Sequence, residues 1–189
     1  NDSALTQTDG TLGAVSVDAS TFTQNAGTAG AVTLTNGASA TLAGTVASLD
    51  ATNATAEVSG TVSGAVSLDA STLTAVDGIT ISDTLTAENN SIVNGDIMLD
   101  GAADVSLSGS TVNGDIAFAE SANGADLKLI ESTVAGNVTL SGESNSLRVE
   151  NSSITGALTA TAGTITFDGE NSFGDLQLSG DVNVAGDIT

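Results

Sequence analysis

Apolar and polar residues alternate at period two through most of this chain, and the alternating stretches themselves recur. "STVNGDIAF" at Ser110–Phe118 and "STVAGNVTL" at Ser132–Leu140 share one pattern: Ser/Thr, Ser/Thr, aliphatic, any residue, Gly, any residue, aliphatic, any residue, aliphatic. "SIVNGDIML" at Ser91–Leu99 and "SSITGALTA" at Ser152–Ala160 follow it more loosely. "NSFGDLQL" at Asn171–Leu178 lacks one residue. "TVSGAVSL" at Thr61–Leu68 reads as another copy, and "TLGAVSV" at Thr11–Val17, "TAGAVTL" at Thr28–Leu34 and "TLAGTVASL" at Thr41–Leu49 as weaker ones. The phrase glycines Gly95, Gly114, Gly136, Gly156 and Gly174 are spaced 19, 22, 20 and 18 residues apart. A second phrase lies between the copies: "VSL" at Val105–Leu107, "LKL" at Leu127–Leu129, "LRV" at Leu147–Val149, "ITF" at Ile165–Phe167 and "VNV" at Val182–Val184.

Two phrases drifting together mark a structural repeat of about 20 residues. Period-two alternation is the strand signal. Turn clusters such as "SGESNS" at Ser141–Ser146 and "DGEN" at Asp168–Asn171 separate the strands. Two or three short strands per 20 residues, with no stretch of helical period, predict an all-β fold: a single-stranded right-handed parallel β-helix, or β-solenoid. Each strand then pairs with its equivalent one coil on, about 4.8 Å away. Ile116, Val138, Leu158 and Leu176 are expected to form one inward ladder, and Leu129, Val149 and Phe167 another. The glycine permits a backbone corner that a side chain would obstruct. Residues 91–189 read as regular coils. Residues 1–90, with Gly13, Gly30, Gly44 and Gly64 spaced 17, 14 and 20 apart, read as less regular coils or a cap.

Composition sharpens this picture. Hydrophobic residues make up 40% of the 189, enough for a core, but aromatics only 2%, which suits narrow and regular packing. The chain carries 23 acidic residues against two basic ones, a net charge of −21. Nucleic acid is excluded as a partner, because binding it needs Lys and Arg to displace counterions. No apolar run is long enough for a transmembrane helix.

The phrases "STVNGDIAF", "STVAGNVTL" and "LRVENSSITGALTA" resemble repeats in the passenger domains of bacterial autotransporter adhesins, of the pertactin and self-associating type. The resemblance covers about Ser91 to Thr189. It implies a secreted, cell-surface protein with an adhesive or self-associating function. The chain departs from the family in being short, in carrying no C-terminal membrane barrel and in being unusually acidic.

Candidate chemistry is sparse. With neither His nor Cys, the chain has no Ser-His-Asp triad, no Cys nucleophile and no ordinary zinc site. The expectation is a protein that is not an enzyme. Lys128 and Arg148 hold equivalent outward positions in "LKL" and "LRV", with Glu131 and Glu150 beside them as counter-charges. Asp96, Asp115, Asp175 and Asp187 each follow a glycine and are expected to stack along one corner, where calcium could bind through carboxylate and carbonyl oxygens. Asn137 and Ala157 interrupt that row. "TFT" at Thr21–Thr23, "TLT" at Thr72–Thr74 and "TIT" at Thr164–Thr166 raise ice binding. The outward row Ser67, Met98, Ala117, Thr139, Thr159, Gln177 is too mixed to support it. Asn-x-Ser/Thr sequons start at Asn1, Asn53, Asn89, Asn137 and Asn151. The last residues, "DVNVAGDIT", keep the repeat without a polar cap, so Val182, Val184 and Ile188 are expected to mediate head-to-tail self-association. The function expected is an extracellular structural or adhesive protein stacking into a surface or biofilm-matrix fibre. The alternative is a β-helix that binds or degrades polysaccharide.

Overall fold

The computed structural model describes residues 3–186. Among them are 23 strands and no helix, and every strand pairing is parallel. The chain is a β-solenoid. One side stacks Val15, Val32, Leu49, Val66, Leu85, Val105, Leu127, Leu147, Ile165 and Val184 in unbroken register. A second stacks Leu5, Phe22, Ala40, Ala56, Leu73, Val93, Val112, Val134, Ile154 and Phe173. The predicted ladder Ile116–Val138–Leu158–Leu176 lies on a third side, extended back through Ile97 to Ile79. Leu129, Val149 and Phe167 form the other predicted ladder, on the first side.

These columns exist because period-two alternation sends every other side chain inward. Leu85, Val105, Leu127, Val112 and Ile116 are fully buried. Each such burial contributes roughly 1.5–3 kcal/mol by removing apolar surface from water. Coil length varies along the stack. Val15, Val32, Leu49 and Val66 are 17 residues apart, and later equivalents on that side are 18 to 22 apart. The extra residues fall between the second side and the first, chiefly in the turn that follows the third-side ladder, as between Ile116 and Leu127. Before residue 66 the third side is held only by short pairings such as Ala29–Val46 and Val46–Val62. From Ile79 it becomes a ladder of its own.

Several phrase copies sit differently from their sequence reading. The "VSL" of "TVSGAVSL" stacks on Leu85–Ala87 and so continues the second phrase, not the first. Ser67 therefore leaves the outward row, and Thr80 stacks on Met98 in its place. "VNV" is displaced by one inward position: Val184, not Val182, stacks on Ile165. Periodicity alone could not separate these, because both phrases alternate with the same period.

The corner between the first and second sides is built from left-handed residues. Ala19, Asn36, Asn53, Ala70, Asn90, Glu131 and Asn151 all have φ between 45° and 63°, and Gly109 has φ 57°. The backbone there bonds to the next coil, as where Glu131 N–H donates to the Glu150 carbonyl at 2.9 Å. Asn tolerates this conformation better than other side chains. The sequons at Asn53 and Asn151 follow from that geometry, since the left-handed Asn lies two residues before the Thr or Ser that opens the next strand, and in the Asn89 sequon the Ser is the buried Ser91. Glu131 is a bulkier choice at this corner. Replacing it with Gly is expected to stabilise the protein by about 1 kcal/mol, read as a higher denaturant midpoint with unchanged slope.

Candidate functional site

The first residue of the repeated phrase is a buried serine. Ser71, Ser91, Ser110, Ser132 and Ser152 are each at most 3% exposed. Ser110 N–H donates to Ser132 Oγ at 3.1 Å, and Ser132 N–H donates to Ser152 Oγ at 3.0 Å. Ser71 N–H does the same to Ser91 Oγ at 3.1 Å. Each hydroxyl then donates to a carbonyl two or three residues back, as Ser132 Oγ does to Ile130 at 2.8 Å. A buried amide without a partner is costly, and these hydroxyls are placed to meet it. Asn171 closes the series, accepting the Ser152 N–H through Oδ1 at 3.0 Å. Sequence reasoning credited the glycine and the aliphatic pair and missed this row. Its signal was present: the first phrase position is Ser in four successive copies, at 91, 110, 132 and 152.

The phrase glycines stack as expected. A Cβ on Gly114, Gly136 or Gly156 would collide with the carbonyl oxygen of the glycine one coil below. Asp96 and Asp115 follow two of these glycines and lie on adjacent coils. Asp115 N–H donates to Asp96 Oδ1 at 2.8 Å, and Asn137 N–H to Asp115 Oδ1 at 2.7 Å. Asn137 repeats the role, with its Oδ1 accepting Ala157 N–H at 2.9 Å. Asp175 stacks on Ala157, two coils beyond Asn137 in the row, and accepts from its neighbour Leu176 N–H and from Gln177 Nε2. Asp187 lies outside the described residues. This row supplies at most one carboxylate per coil, none at Asn137 or Ala157, and spends an oxygen of Asp96 and of Asp115 on backbone. Among the described residues no three His, Cys, Asp or Glu side chains converge at metal-binding distance.

Lys128 and Arg148 stack directly on the outer face of the first side. Lys128 Nζ lies 2.7 Å from Asp126 and 3.4 Å from Asp104, and Arg148 Nη2 lies 2.8 Å from Glu150 and 3.1 Å from Asp168. Glu150 is the expected partner. Glu131 is not the partner of Lys128, because its left-handed corner places it off the strand. Asp104 stacks on Asp126, and Glu150 on Asp168. Each cation thus bridges a pair of stacked carboxylates. The Asp126 hydrogen bond raises the Lys128 pKa above its ordinary 10.5, with the Asp126 and Asp104 charges adding to the shift and partial burial opposing it.

The Thr-x-Thr phrases divide between two sides. Thr21–Thr23 and Thr72–Thr74 lie on the outer face of the second side, with Ser39, Thr41, Thr55 and Glu57 stacked between them. Thr164 and Thr166 lie on the first side, above Ser146 and Arg148. At the ends, Val182 packs partly against the core while Val184 is 37% exposed. Ile188 lies outside the described residues.

Ser132→Ala is expected to cost about 1–3 kcal/mol in urea unfolding, because it leaves the Ser110 amide buried and unpaired. Lys128→Met is expected to cost a few tenths of a kcal/mol near neutral pH, the size of an exposed ion pair. A lysine whose folded pKa is raised stabilises the fold fully below its unfolded pKa. That contribution disappears as pH rises through the folded value. The two proteins should therefore converge in stability above pH 10.5, as followed by thermal melts across the alkaline limb.

No family model matches this chain, and no curated protein or solved structure matches it either. It is a parallel β-solenoid of about ten turns, compatible with a β-helix repeat protein.

Proposed function

We propose that this protein is an extracellular structural and adhesive rod, secreted to the cell surface or its matrix, whose solenoid stacks head-to-tail on further copies of itself into a fibre. The carrying observation is the state of its two end coils. Leu178 and Val184 in the last coil are 40% and 37% exposed, and Leu5 in the first is 47% exposed, although equivalent positions in between are buried. Each end also presents strand edges, which pair readily with another chain.

The two ends match in shape. The chain takes ten residues from Leu5 to Val15 and eleven from Phe173 to Val184, while the widest coil takes fifteen, from Val112 to Leu127. Placed on the last coil, the first coil of a second copy puts Leu5 over Phe173 and Val15 over Val184. The serine row also continues, with Asn171 N–H facing Ser3 Oγ. Such a contact is heterologous and does not close, so it propagates. Calcium enters this reading as a counter-ion screening the acidic sides. The uncharged column Thr21–Ser39–Thr55–Thr72 on the second side favours a second reading, in which that face binds neutral polysaccharide.

Sedimentation of end-specific variants tests the stacking. Leu5→Asp and Val184→Asp should each be monomeric, because each spoils one end. Mixed together they should form dimers only, because each retains the end that the other lacks. Unaltered protein should form long particles, more readily as salt screens its charge. A monomeric unaltered protein at high concentration in salt, or filaments from either variant alone, would overturn the proposal.

A further inference from the structure

Six large apolar side chains are markedly exposed among the described residues. Leu5, Leu178 and Val184 belong to the end coils. Val76, Ile92 and Met98, at 55%, 36% and 46% exposure, do not. They fall on two successive coils, at the place where the third side begins its own ladder. There a shallow trough of about 320 Å3 runs over the outer face, lined by Asp77, Thr80, Asp96, Met98, Asp115 and Ala117, with the Gly78–Ile79 and Ile97 backbone between them. It is concave because Ala117 follows Met98 in the outward column.

Asp96 and Asp115 stand one coil apart in this trough. Like charges in register destabilise a sheet unless something intervenes. Elsewhere the chain intervenes itself. Lys128 bridges stacked Asp104 and Asp126, and Arg148 bridges stacked Glu150 and Asp168. Asp69 under Glu88 receives the Asn89 amide at 2.6 Å. For Asp96 and Asp115 the chain has no further cation to offer, since its two basic residues are both engaged on the first side. One oxygen of each carboxylate accepts a backbone amide, and that of Asp115 also takes the Asn137 side-chain amide at 3.2 Å, but among the described residues no donor bridges the two carboxylates and the second oxygen of each makes no hydrogen bond.

We propose that this trough docks an extended, basic segment of a partner protein. A lysine or arginine head bridges Asp96 and Asp115, repeating the geometry of Lys128 and Arg148, while its aliphatic stem covers Met98. The stems of these residues bury well against apolar surface while the charged head stays solvated. Opposite charge steers the encounter, and the apolar floor adds a contact that salt does not screen.

The test is fluorescence anisotropy of a labelled peptide alternating Lys and Thr, titrated with the full chain at about physiological ionic strength. The pair Asp96→Asn and Asp115→Asn removes the charge while keeping the acceptor, as Asn137 already does in the same row. It should weaken binding about tenfold or more with unchanged thermal unfolding. Removing two charges elsewhere, by Asp50→Asn and Glu57→Gln, should change affinity less than about twofold. Met98→Thr, which installs the residue found at 80 and 139 in that column, should weaken binding about threefold at every salt concentration. A peptide with Glu for Lys should not bind. Equal loss in both double variants would reduce the effect to general attraction and overturn the proposal. So would an affinity indifferent to Met98→Thr, or competition by calcium alone at equal strength in that variant, since an ion site needs no apolar floor. Failure of the Lys peptide to bind would do the same.

Discussion

Coil-to-coil hydrogen bonding holds each residue about 4.8 Å from its own equivalent, and the rest of the molecule answers to that constraint. In a globular core a large side chain can fill space left by a small neighbour. Here each inward position is packed chiefly by the same position above and below, so side chains must be ones that stack on themselves. Leu, Ile, Val and Ala do this in a narrow channel, which accounts for a 40% hydrophobic chain with only four phenylalanines. Phe167 and Phe173 meet edge-to-face at 5.3 Å, where Gly186 over Phe167 adds no side chain to the column.

Polar groups face the same rule more sharply, because an identical neighbour is an equal charge or an equal unmet donor. The buried serines resolve it by being donor and acceptor at once: Ser91, Ser132 and Ser152 each accept an amide of the preceding coil and donate within their own. The outward carboxylates resolve it by dilution beyond Asp115, where Asn137 and Ala157 take the next places in the row, or by bridging through Lys128 and Arg148. A surface of 23 acidic residues is compatible with this fold because neighbours in the columns are arranged, pair by pair, to tolerate it.

Much of this was legible beforehand. Parallel stacking, the ladder through Ile116, Val138 and Leu158, and the steric need for glycine at 114, 136 and 156 all follow from spacing and alternation. What was not legible is phase. In the first coils the glycine at 13 stacks under Gly30, and the Gly64 Cβ position abuts the Ala47 carbonyl. Those positions are 17 apart, and taking Gly44 in place of Ala47 hid the period. Gly44 belongs to a separate row above Gly27. Neighbouring rows of small residues look alike in one dimension, and only the backbone register separates them. The partners of Lys128 were hidden for a similar reason. Its carboxylates sit two residues back and one coil below, while the adjacent Glu131 turns away at a left-handed corner.

The serine row also gives the molecule a direction. The amides in it that bond between coils point toward the side-chain oxygen of the following coil, from Ser3 N–H to Ser20 Oγ at one end to Ser152 N–H to Asn171 Oδ1 at the other, while Ser91 N–H turns back to the Glu88 carbonyl. The strands around it are all parallel, although their backbone amides donate both ways, as Thr21 N–H does to the Ser3 carbonyl and Leu12 N–H to the Thr28 carbonyl. A row repeated without reversal makes the two faces of the rod unlike: along it, one face ends on a hydroxyl oxygen and the other on an amide. Two molecules meeting by identical faces would break the parallel columns and set like against like in the serine row. Growth from such a unit therefore has a polarity, and anything tethered at one face stays at that end of the assembly however long it becomes.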